Sequence, residues 1–329
     1  MSDLALAAYA AERGSHPPAE STRARFAAFA RGFDASSYLA ALEERGLRWI
    51  SKSDERFPPL LRAIHDPPPG LFVRGSASLD VLAAPAVAVV GARACSPYGA
   101  QVARMLGADL GRAGLVVVSG LARGIDGEVH RGALDAGGTT VAVLGCGVDR
   151  DYPAAHAALA RTIGESGLVV SEYAPGVEPA PWRFPARNRI IAGLAAATIV
   201  VEARERSGAL ITADFALEEG RDVLACPGEI TSALSAGTND LLKLGAAPLT
   251  RVDDVLELFG IASPQASPPP GLDGDAAALF ERLADAPAAA DDLVRTSGLD
   301  AGAAAAALAE LELAGLVVHA DGLFRRTGR

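Results

Sequence analysis

Short apolar runs alternate with helical segments through the middle of this chain, and this alternation constrains its fold more than any other feature. The apolar runs suit buried parallel strands and cover residues 87–90, 115–118, 141–144, 168–170, 199–201 and 223–225. The helical segments between and after them cover residues 98–112, 126–136, 153–164, 188–196, 209–219 and 235–244. Repeated βα units predict an α/β fold with an extended Rossmann-like, doubly wound, mostly parallel sheet.

The segments before and after this alternation predict further parts of the chain. Residues 1–50 show helical periodicity and predict a small N-terminal helical domain, SAM-like or a degenerate helix-hairpin-helix. Residues 51–83 are proline-rich and predict a connector with a short strand at 71–73, ahead of the Rossmann-like domain at 84–260. The proline- and serine-rich stretch 261–274 predicts a linker.

The C-terminal residues 275–329 predict a further domain. Three amphipathic helices fit residues 275–285, 289–297 and 301–314, and a hairpin fits 316–319 and 323–325, turned by Asp321-Gly322. Three helices followed by a β-wing describe a winged helix.

Composition is typical of a globular protein from a reducing compartment. Half of the 329 residues are hydrophobic, which allows a large buried core. Cys95, Cys146 and Cys226 lie far apart and fit no zinc spacing, so we expect a cytoplasmic protein without a metal site. No signal peptide is evident, and the most apolar stretch, 190–201, is too short to cross a bilayer. We therefore expect no membrane partner.

The net charge of −10 argues at first sight against a nucleic-acid partner, but the charge is unevenly distributed. Residues 1–83 carry ten basic and ten acidic side chains, and residues 84–250 carry fourteen and seventeen. Residues 251–329 carry six basic and thirteen acidic side chains, a net charge of −7. Because the acidic excess lies mainly at the C-terminal end, a local basic groove in the middle of the chain remains possible.

Glycines and arginines follow several predicted strands. The first strand is followed by Gly91-Ala92-Arg93, the second by Gly120 to Asp126, and the third by Gly145-Cys146-Gly147. Ligands bind outside the carboxyl ends of the strands in open α/β sheets, and glycine lets backbone amides approach a phosphate. With Arg123, Arg187 and Arg189 nearby, these loops favour a phosphate site, although glycine turns are often only tight connections.

The segment from Phe184 to Gly193 carries the strongest binding signal. Arg187 and Arg189 flank Asn188, a good helix N-cap, so the pattern predicts an anion-binding helix start. Trp182 and Phe184 stand beside these arginines, and aromatic rings interleaved with cations suit single-stranded nucleic acid. The alternative is that Phe184 belongs to the core and Trp182 covers a surface.

Catalytic and cofactor signals are weak. Asp126, Glu128 and His130 do not share one face of a helix, so structural roles, such as capping by Asp126, are favoured. A Gly-x-Gly-x-x-Gly sequence followed by a ribose-binding acid is absent, and we expect no cofactor. The polar stretch 237–243, which contains Lys243, is weak evidence by itself.

Taken together, these motifs resemble the DNA-processing protein A (DprA/Smf) family over residues 46–258. The matching blocks occur in order: 90–93, 96–99, 119–126, 143–149, 152–153, 171–173, 184–193, 207–213, 225–228 and 237–239. The resemblance implies an extended Rossmann-like fold that binds single-stranded DNA and is not a known nuclease. It also implies a homodimer that protects incoming DNA during natural transformation and loads the RecA recombinase.

The resemblance also implies which residues contact DNA. They are Gly91 and Arg93 in the first loop; Ser119, Gly120 and Arg123 in the second; Phe184, Arg187, Asn188 and Arg189 as the main face; and Asn239 and Lys243 at its end. This chain departs from the family where Ala92 replaces the serine that usually precedes the arginine of the first loop. The acidic C-terminal domain predicts a regulatory or protein-contact role rather than DNA binding.

Three hypotheses follow. The first is a non-catalytic single-stranded DNA binder that acts as a recombination mediator. The second is a nucleotide-processing Rossmann enzyme similar to phosphoribohydrolases, although the stretch 202–208 lacks the glycine-rich loop typical of those enzymes. The third is an adaptor that works through partners by its acidic C-terminal domain.

Overall fold

A computed structural model of the chain describes residues 3–13, 20–261, 272, 274–284, 286–320 and 322–326. Most of the predicted linker 261–274 and Asp321 of the predicted hairpin turn lie outside the described residues. The chain divides into two compact units, residues 1–262 and 263–329. The second unit therefore begins within the stretch for which a linker is predicted.

The first unit is built on a nine-stranded sheet. Its strands are β1 (Leu47–Ser51), β2 (Gly70–Arg74), β3 (Ala86–Val90), β4 (Val116–Ser119), β5 (Thr140–Val143), β6 (Leu168–Ser171), β7 (Ala197–Val200), β8 (Asp222–Ala225) and β9 (Ala247–Pro248). The order across the sheet is β1-β2-β6-β5-β4-β3-β7-β8-β9. Strands β3 to β9 are parallel to their neighbours, whereas β1 and β2 add an antiparallel edge beside β6.

Helices cover both faces of this sheet. They are α1 (Asp3–Arg13), α2 (Glu20–Gly32), α3 (Ala35–Glu44), α4 (Pro59–Arg62), α5 (Pro97–Arg112), α6 (Ile125–Asp135), α7 (Ala157–Ser166), α8 (Arg183–Leu194), α9 (Gly208–Glu218), α10 (Ala236–Lys243) and α11 (Asp253–Leu256). Helices α5, α6 and α11 share one hydrophobic cluster with the sheet, and α4, α8 and α9 share a cluster with the opposite face. The predicted doubly wound α/β fold is therefore confirmed.

Local sequence explains why these elements form where they do. Every residue of β3 is buried, as its unbroken apolar sequence predicts for a central parallel strand. Helix α5 begins where Ser96 caps the first turn and Pro97 supplies the first helical residue, which needs no hydrogen-bond donor there. Helices α5 and α6 pack closely because Gly132 leaves room for the backbone of Arg104, where a Cβ atom would collide.

The N-terminal part of the first unit differs from its predicted description. Strand β1 crosses the predicted boundary at residue 50 and pairs with β2 of the proline-rich segment, so both strands belong to the main sheet. Asp3 of α1 accepts hydrogen bonds from the hydroxyl groups of Ser51 and Ser53. Sequence periodicity missed β1 because it is a short edge strand with mixed burial.

Helix α8 also differs, because it begins at Arg183 rather than at Asn188. Pro185 lies in its first turn, where the missing N–H costs no intrahelical hydrogen bond. Asn188 is consequently one turn inside the helix, and its side-chain amide donates to the carbonyl oxygen of Gly208 at 3.0 Å. The prediction that Asn188 caps this helix is wrong.

The second unit has the predicted order of elements. It contains α12 (Gly274–Arg282), α13 (Ala290–Ser297), α14 (Ala301–Leu313), β10 (Val317–Ala320) and β11 (Leu323–Arg326). The two strands form an antiparallel hairpin, and the three helices enclose their own apolar cluster around Leu279, Leu308 and Leu311. No helix among the described residues is long and apolar enough to cross a membrane.

Candidate nucleic-acid interface

The parallel sheet reverses its winding direction between β3 and β7. Strands β4, β5 and β6 follow β3 on one side, whereas β7, β8 and β9 extend the sheet on the other. A crevice opens at the carboxyl ends of the strands at such a switch point. A pocket of about 400 Å³ occupies this position, and its walls include the loops 91–94 and 204–207 together with residues of α8 and α9.

Four exposed arginines line this crevice and a smaller pocket beside it. Arg93 follows β3, Arg123 follows β4, and Arg204 and Arg206 follow β7. Within the part of the chain that the structure describes, none of these four guanidinium groups forms an ion pair. Cations that are exposed and not neutralised by carboxylates are suited to bind phosphate oxygens.

Aromatic rings lie among these cations. The ring of Phe184 stacks on that of Tyr152, with ring centroids 5.4 Å apart and planes inclined by 26°. The guanidinium carbon of Arg93 lies 5.5 Å from the centroid of Phe184. Tyr152 is 41% exposed and Trp182 is 42% exposed, so both present ring surface to solvent. Phe184 and Arg93 line both the switch-point pocket and a smaller one of about 80 Å³ beside it.

Arg187 forms part of the floor of both pockets rather than an exposed face. It is 4% exposed, and one of its guanidinium nitrogens donates to the carbonyl oxygens of Gly120 and Val143. Burial lowers the pKa of Arg187 to about 10, so its side chain remains charged at neutral pH. This places a positive charge in the lining of both pockets, beside the buried carboxylate of Asp126.

Arg189 is held in a buried ion pair away from the crevice. Its two terminal nitrogens each donate to one oxygen of Glu172 at 2.7 Å. Its Nε atom donates to the carboxylate of Asp66 at 3.0 Å and to the carbonyl oxygen of the same residue at 2.9 Å. Although burial lowers it, these hydrogen bonds and charges raise the pKa of Arg189 above its ordinary value. The structure therefore shows Arg189 in a buried ion pair and outside the lining of both pockets.

The predicted small and polar residues of the first two loops have mixed positions. Gly91 lines the switch-point pocket and Gly120 lines the smaller one. Ser119 is fully buried, and its hydroxyl group donates to the carbonyl oxygen of Val89 at 2.6 Å. Ser119 is therefore not exposed to a ligand.

The last two predicted residues lie outside both pockets. The Asn239 side chain exchanges two hydrogen bonds with the backbone of Gly228 and so fixes the loop after β8. Lys243 lies one turn further along α10 and pairs with Asp240 at 2.9 Å. The structure does not bring Lys243 together with the arginines of the crevice.

Two buried carboxylates occupy the loops that bind phosphate in many open α/β proteins. Glu202, two residues after the end of β7, accepts hydrogen bonds from the backbone amide and the hydroxyl group of Ser96 at the start of α5. Asp126 accepts from the backbone amides of Gly120 and Ala122 at 3.1 and 3.3 Å. Burial raises the pKa of Asp126, whereas the charge of Arg187 and these amides oppose that shift.

Asp126, Glu128 and His130, the residues considered as a catalytic cluster, contact different partners in the structure. His130 is buried against the hydroxyl group of Thr140, and Glu128 pairs with Arg131 on the helix surface. No group of three or more potential metal ligands occurs among the residues that the structure describes.

The sequence matches two family models in series. Residues 48–260 match the model described as DNA recombination-mediator protein A, and residues 263–328 match the DprA winged helix domain. This chain belongs to the DNA-processing protein A family. The resemblance identified from the sequence is thereby confirmed, together with the winged helix.

Relatives within the DprA family cover much of the chain. A Mycobacterium tuberculosis relative that carries the DprA name is 43% identical over 310 residues, 88% of this chain and 80% of the relative. The DNA processing protein DprA of Streptococcus pneumoniae is 50% identical over 206 residues, 63% of this chain and 72% of that protein.

Solved DprA structures share the fold. The X-ray structure of DprA from Streptococcus pneumoniae is 41% identical, with a TM-score of 0.65, and covers 78% of this chain and 92% of that one. A structure of DNA processing protein A from Helicobacter pylori is 29% identical with a TM-score of 0.58, covering 64% of this chain and 95% of that one. A single-stranded DNA binding mode is described for that Helicobacter pylori protein.

Sequence reasoning missed three residues of the DprA crevice, namely Tyr152, Arg204 and Arg206. Arg204 and Arg206 lie in the loop after β7, and β7 borders β3 at the switch point. The fold class indicates their position, because β7 pairs with β3 on the side opposite β4, and the loops after these two strands therefore face each other. Within the sequence itself, the stretch 202–208 carries no glycine-rich motif that would mark it as a phosphate loop.

Replacing Arg189 by alanine should mainly destabilise this DprA-family fold. The substitution leaves the buried carboxylate of Glu172 without its partner, so we expect the free energy of unfolding to fall by about 3–5 kcal/mol. Urea denaturation measures this loss. Arg93→Ala is the control, because an exposed arginine without an ion pair should change stability by less than about 0.5 kcal/mol. Wild-type stability in Arg189→Ala together with weaker DNA binding would instead place Arg189 on the DNA face.

Proposed function

We propose that this chain binds single-stranded DNA in the crevice between β3 and β7 and acts as a recombination mediator. In this proposal it protects incoming DNA in the cytoplasm during natural transformation, forms a homodimer and loads the RecA recombinase. The observation that carries the proposal is the set of four exposed, unneutralised arginines interleaved with aromatic rings at the switch point. Membership of the DprA family and the single-stranded DNA binding mode described for the Helicobacter pylori protein support it.

The arrangement suits a strand of any sequence. Exposed guanidinium groups pair with backbone phosphates, which every nucleotide carries, and exposed rings stack on bases, which all have a π-face. The buried charge of Arg187 adds attraction without selecting a base. Single strands are favoured over duplex because the bases of a duplex are already stacked and unavailable to Tyr152 and Phe184.

The nucleotide-processing alternative has less support. The pocket volume suits a mononucleotide, but Asp126 and Glu205 are the acidic side chains in its lining. Asp126 is engaged by two backbone amides, and Glu205 is exposed on the loop after β7. This arrangement gives neither carboxylate the positioned partner that general acid–base catalysis requires.

Arg93→Ala and Arg206→Ala should each weaken binding to oligo-dT and to mixed-sequence single strands alike. We expect the affinity to fall by about threefold to tenfold, and the slope of log affinity against log salt to shrink by about 0.7 for each phosphate that is no longer neutralised. Fluorescence anisotropy over a salt series measures both quantities.

Arg112→Ala is the matched control for these two variants. It removes the same charge from the last turn of α5, near the amino ends of the parallel strands, where Arg112 pairs with Asp109. Its affinity should stay within twofold of the wild type. If all three variants bind equally well, or if Arg112→Ala weakens binding as much as the others, the crevice is not the DNA site.

The winged helix has the wrong charge for a DNA-reading module. Helix α14 stands where the recognition helix of such a domain enters the major groove, yet it carries Glu310 and Glu312 and no lysine or arginine. In the described part of this unit, Arg295 pairs with Asp292 and Arg326 donates to the carbonyl oxygen of Phe280, whereas Arg282 and Arg325 are exposed and form no ion pair. The acidic sequence of α14 and the net charge of −7 over residues 251–329 support a regulatory or protein-contact role for residues 263–329.

Removing residues 263–329 separates DNA binding from partner binding. The shortened chain should bind single-stranded DNA within twofold of the full chain, because the arginines of the crevice all lie in the first unit. The full chain should shorten the lag of RecA filament formation on single strands. A large loss of DNA affinity on truncation contradicts the protein-contact role, and an unchanged RecA lag with the full chain contradicts RecA loading.

A further inference from the structure

Most hydrogen-bond donors at the start of α5 are already engaged within the protein. Pro97 has no N–H, the amide of Gly99 donates to the Ser96 hydroxyl group at 3.0 Å, and the amide of Ser96 donates to Glu202 at 2.9 Å. The Ser96 hydroxyl group in turn donates to the other carboxylate oxygen of Glu202 at 2.5 Å. The carboxylate of Glu202 thus occupies the position at the start of α5 where a bound anion would otherwise lie.

The fit of Glu202 into this position is close. Glu202 is 5% exposed. A Cβ atom at position 99 would collide with the Glu202 carboxyl group, so this group can lie against the start of α5 only because residue 99 is glycine. Within the described residues, Glu202 forms no ion pair with a lysine, arginine or histidine. The carboxylate is therefore stabilised by the helix start itself, through donors and a dipole that favour negative charge.

This position is where a free nucleotide normally binds in such a fold. In open α/β proteins the phosphates of a dinucleotide lie against the N-terminus of the helix that follows the first parallel strand, here β3. In the loop between β3 and α5, residues Val90 to Ala94 line the switch-point pocket, whereas Ser96 at the helix start does not. In the next loop, Asp126 likewise consumes the amides of Gly120 and Ala122.

We propose that Glu202 is a specificity-determining residue that makes the crevice reject free nucleoside diphosphates and pyrophosphate. Its carboxylate occupies the anion position at the start of α5, so phosphate groups are held only by the exposed arginines around the crevice. One arginine-bound phosphate at the surface gives weak binding, whereas a polynucleotide engages several arginines at once. This inference rests on the proposed DNA-binding function of the same crevice.

Glu202→Ala tests the proposal because it vacates the anion position and frees the Ser96 amide. We expect this variant to bind ADP and pyrophosphate at least about tenfold more tightly than the wild type, as measured by isothermal titration calorimetry at constant ionic strength. Glu202→Gln keeps the position filled and should stay close to the wild type. Glu218→Ala is the matched control, since it removes an exposed charge from the last turn of α9, outside the lining of the switch-point pocket, and should also stay close to the wild type.

Three results would overturn the proposal. They are saturable, wild-type binding of ADP or pyrophosphate as tight as that of Glu202→Ala; no gain in a Glu202→Ala protein that is folded by circular dichroism; and an equal gain in Glu218→Ala. If Glu202→Ala does not fold, the wild type decides the question. Direct titration of the wild type with ADP should then show binding too weak to reach saturation, and binding that saturates contradicts the proposal.

A parallel titration of the wild type with oligo-dT distinguishes this proposal from the function on which it rests. Failure to bind oligo-dT contradicts the DNA-binding function, whereas the ADP titrations report on Glu202 without requiring DNA. In the expected case, oligo-dT binds and is not displaced by ADP at equal ionic strength.

Discussion

The buried ion pair between Arg189 and Glu172 fixes helix α8 at the carboxyl end of the sheet, and the geometry of the crevice depends on it. Glu172 directly follows β6, so the two hydrogen bonds between these side chains join the helix to the end of a central strand. Arg187 adds a second attachment at the ends of β4 and β5. With α8 held in this way, Phe184 and Asn188 are placed in the wall of the crevice.

Positive charge is thereby divided between two roles. The arginines of α8 that face the sheet are buried and hold the structure together, whereas those on the loops after β3, β4 and β7 are exposed and available to phosphate. Negative charge is divided in the same way, because Glu202 and Asp126 are buried against backbone amides while the general acidic excess lies in the C-terminal unit. This division lets a chain of net charge −10 present a locally basic crevice.

The βα alternation was sufficient to predict the fold, because a buried parallel strand requires an apolar run whatever its neighbours are. The burial of Arg187 and Arg189 could not be predicted in the same way. The partners of Arg189, Asp66 and Glu172, are distant in sequence and reach it only through the fold. Arg206 could have been found, since the order of the strands places its loop opposite Arg93.

The salt dependence of single-stranded DNA binding by the wild-type chain tests the central claim most directly. If the exposed arginines Arg93, Arg123, Arg204 and Arg206 each pair with a phosphate, log affinity should fall against log salt with a slope of about −3. The slope should be the same for oligo-dT and for mixed sequences. A slope near zero, or binding to duplex DNA as tight as to single strands, would contradict the account.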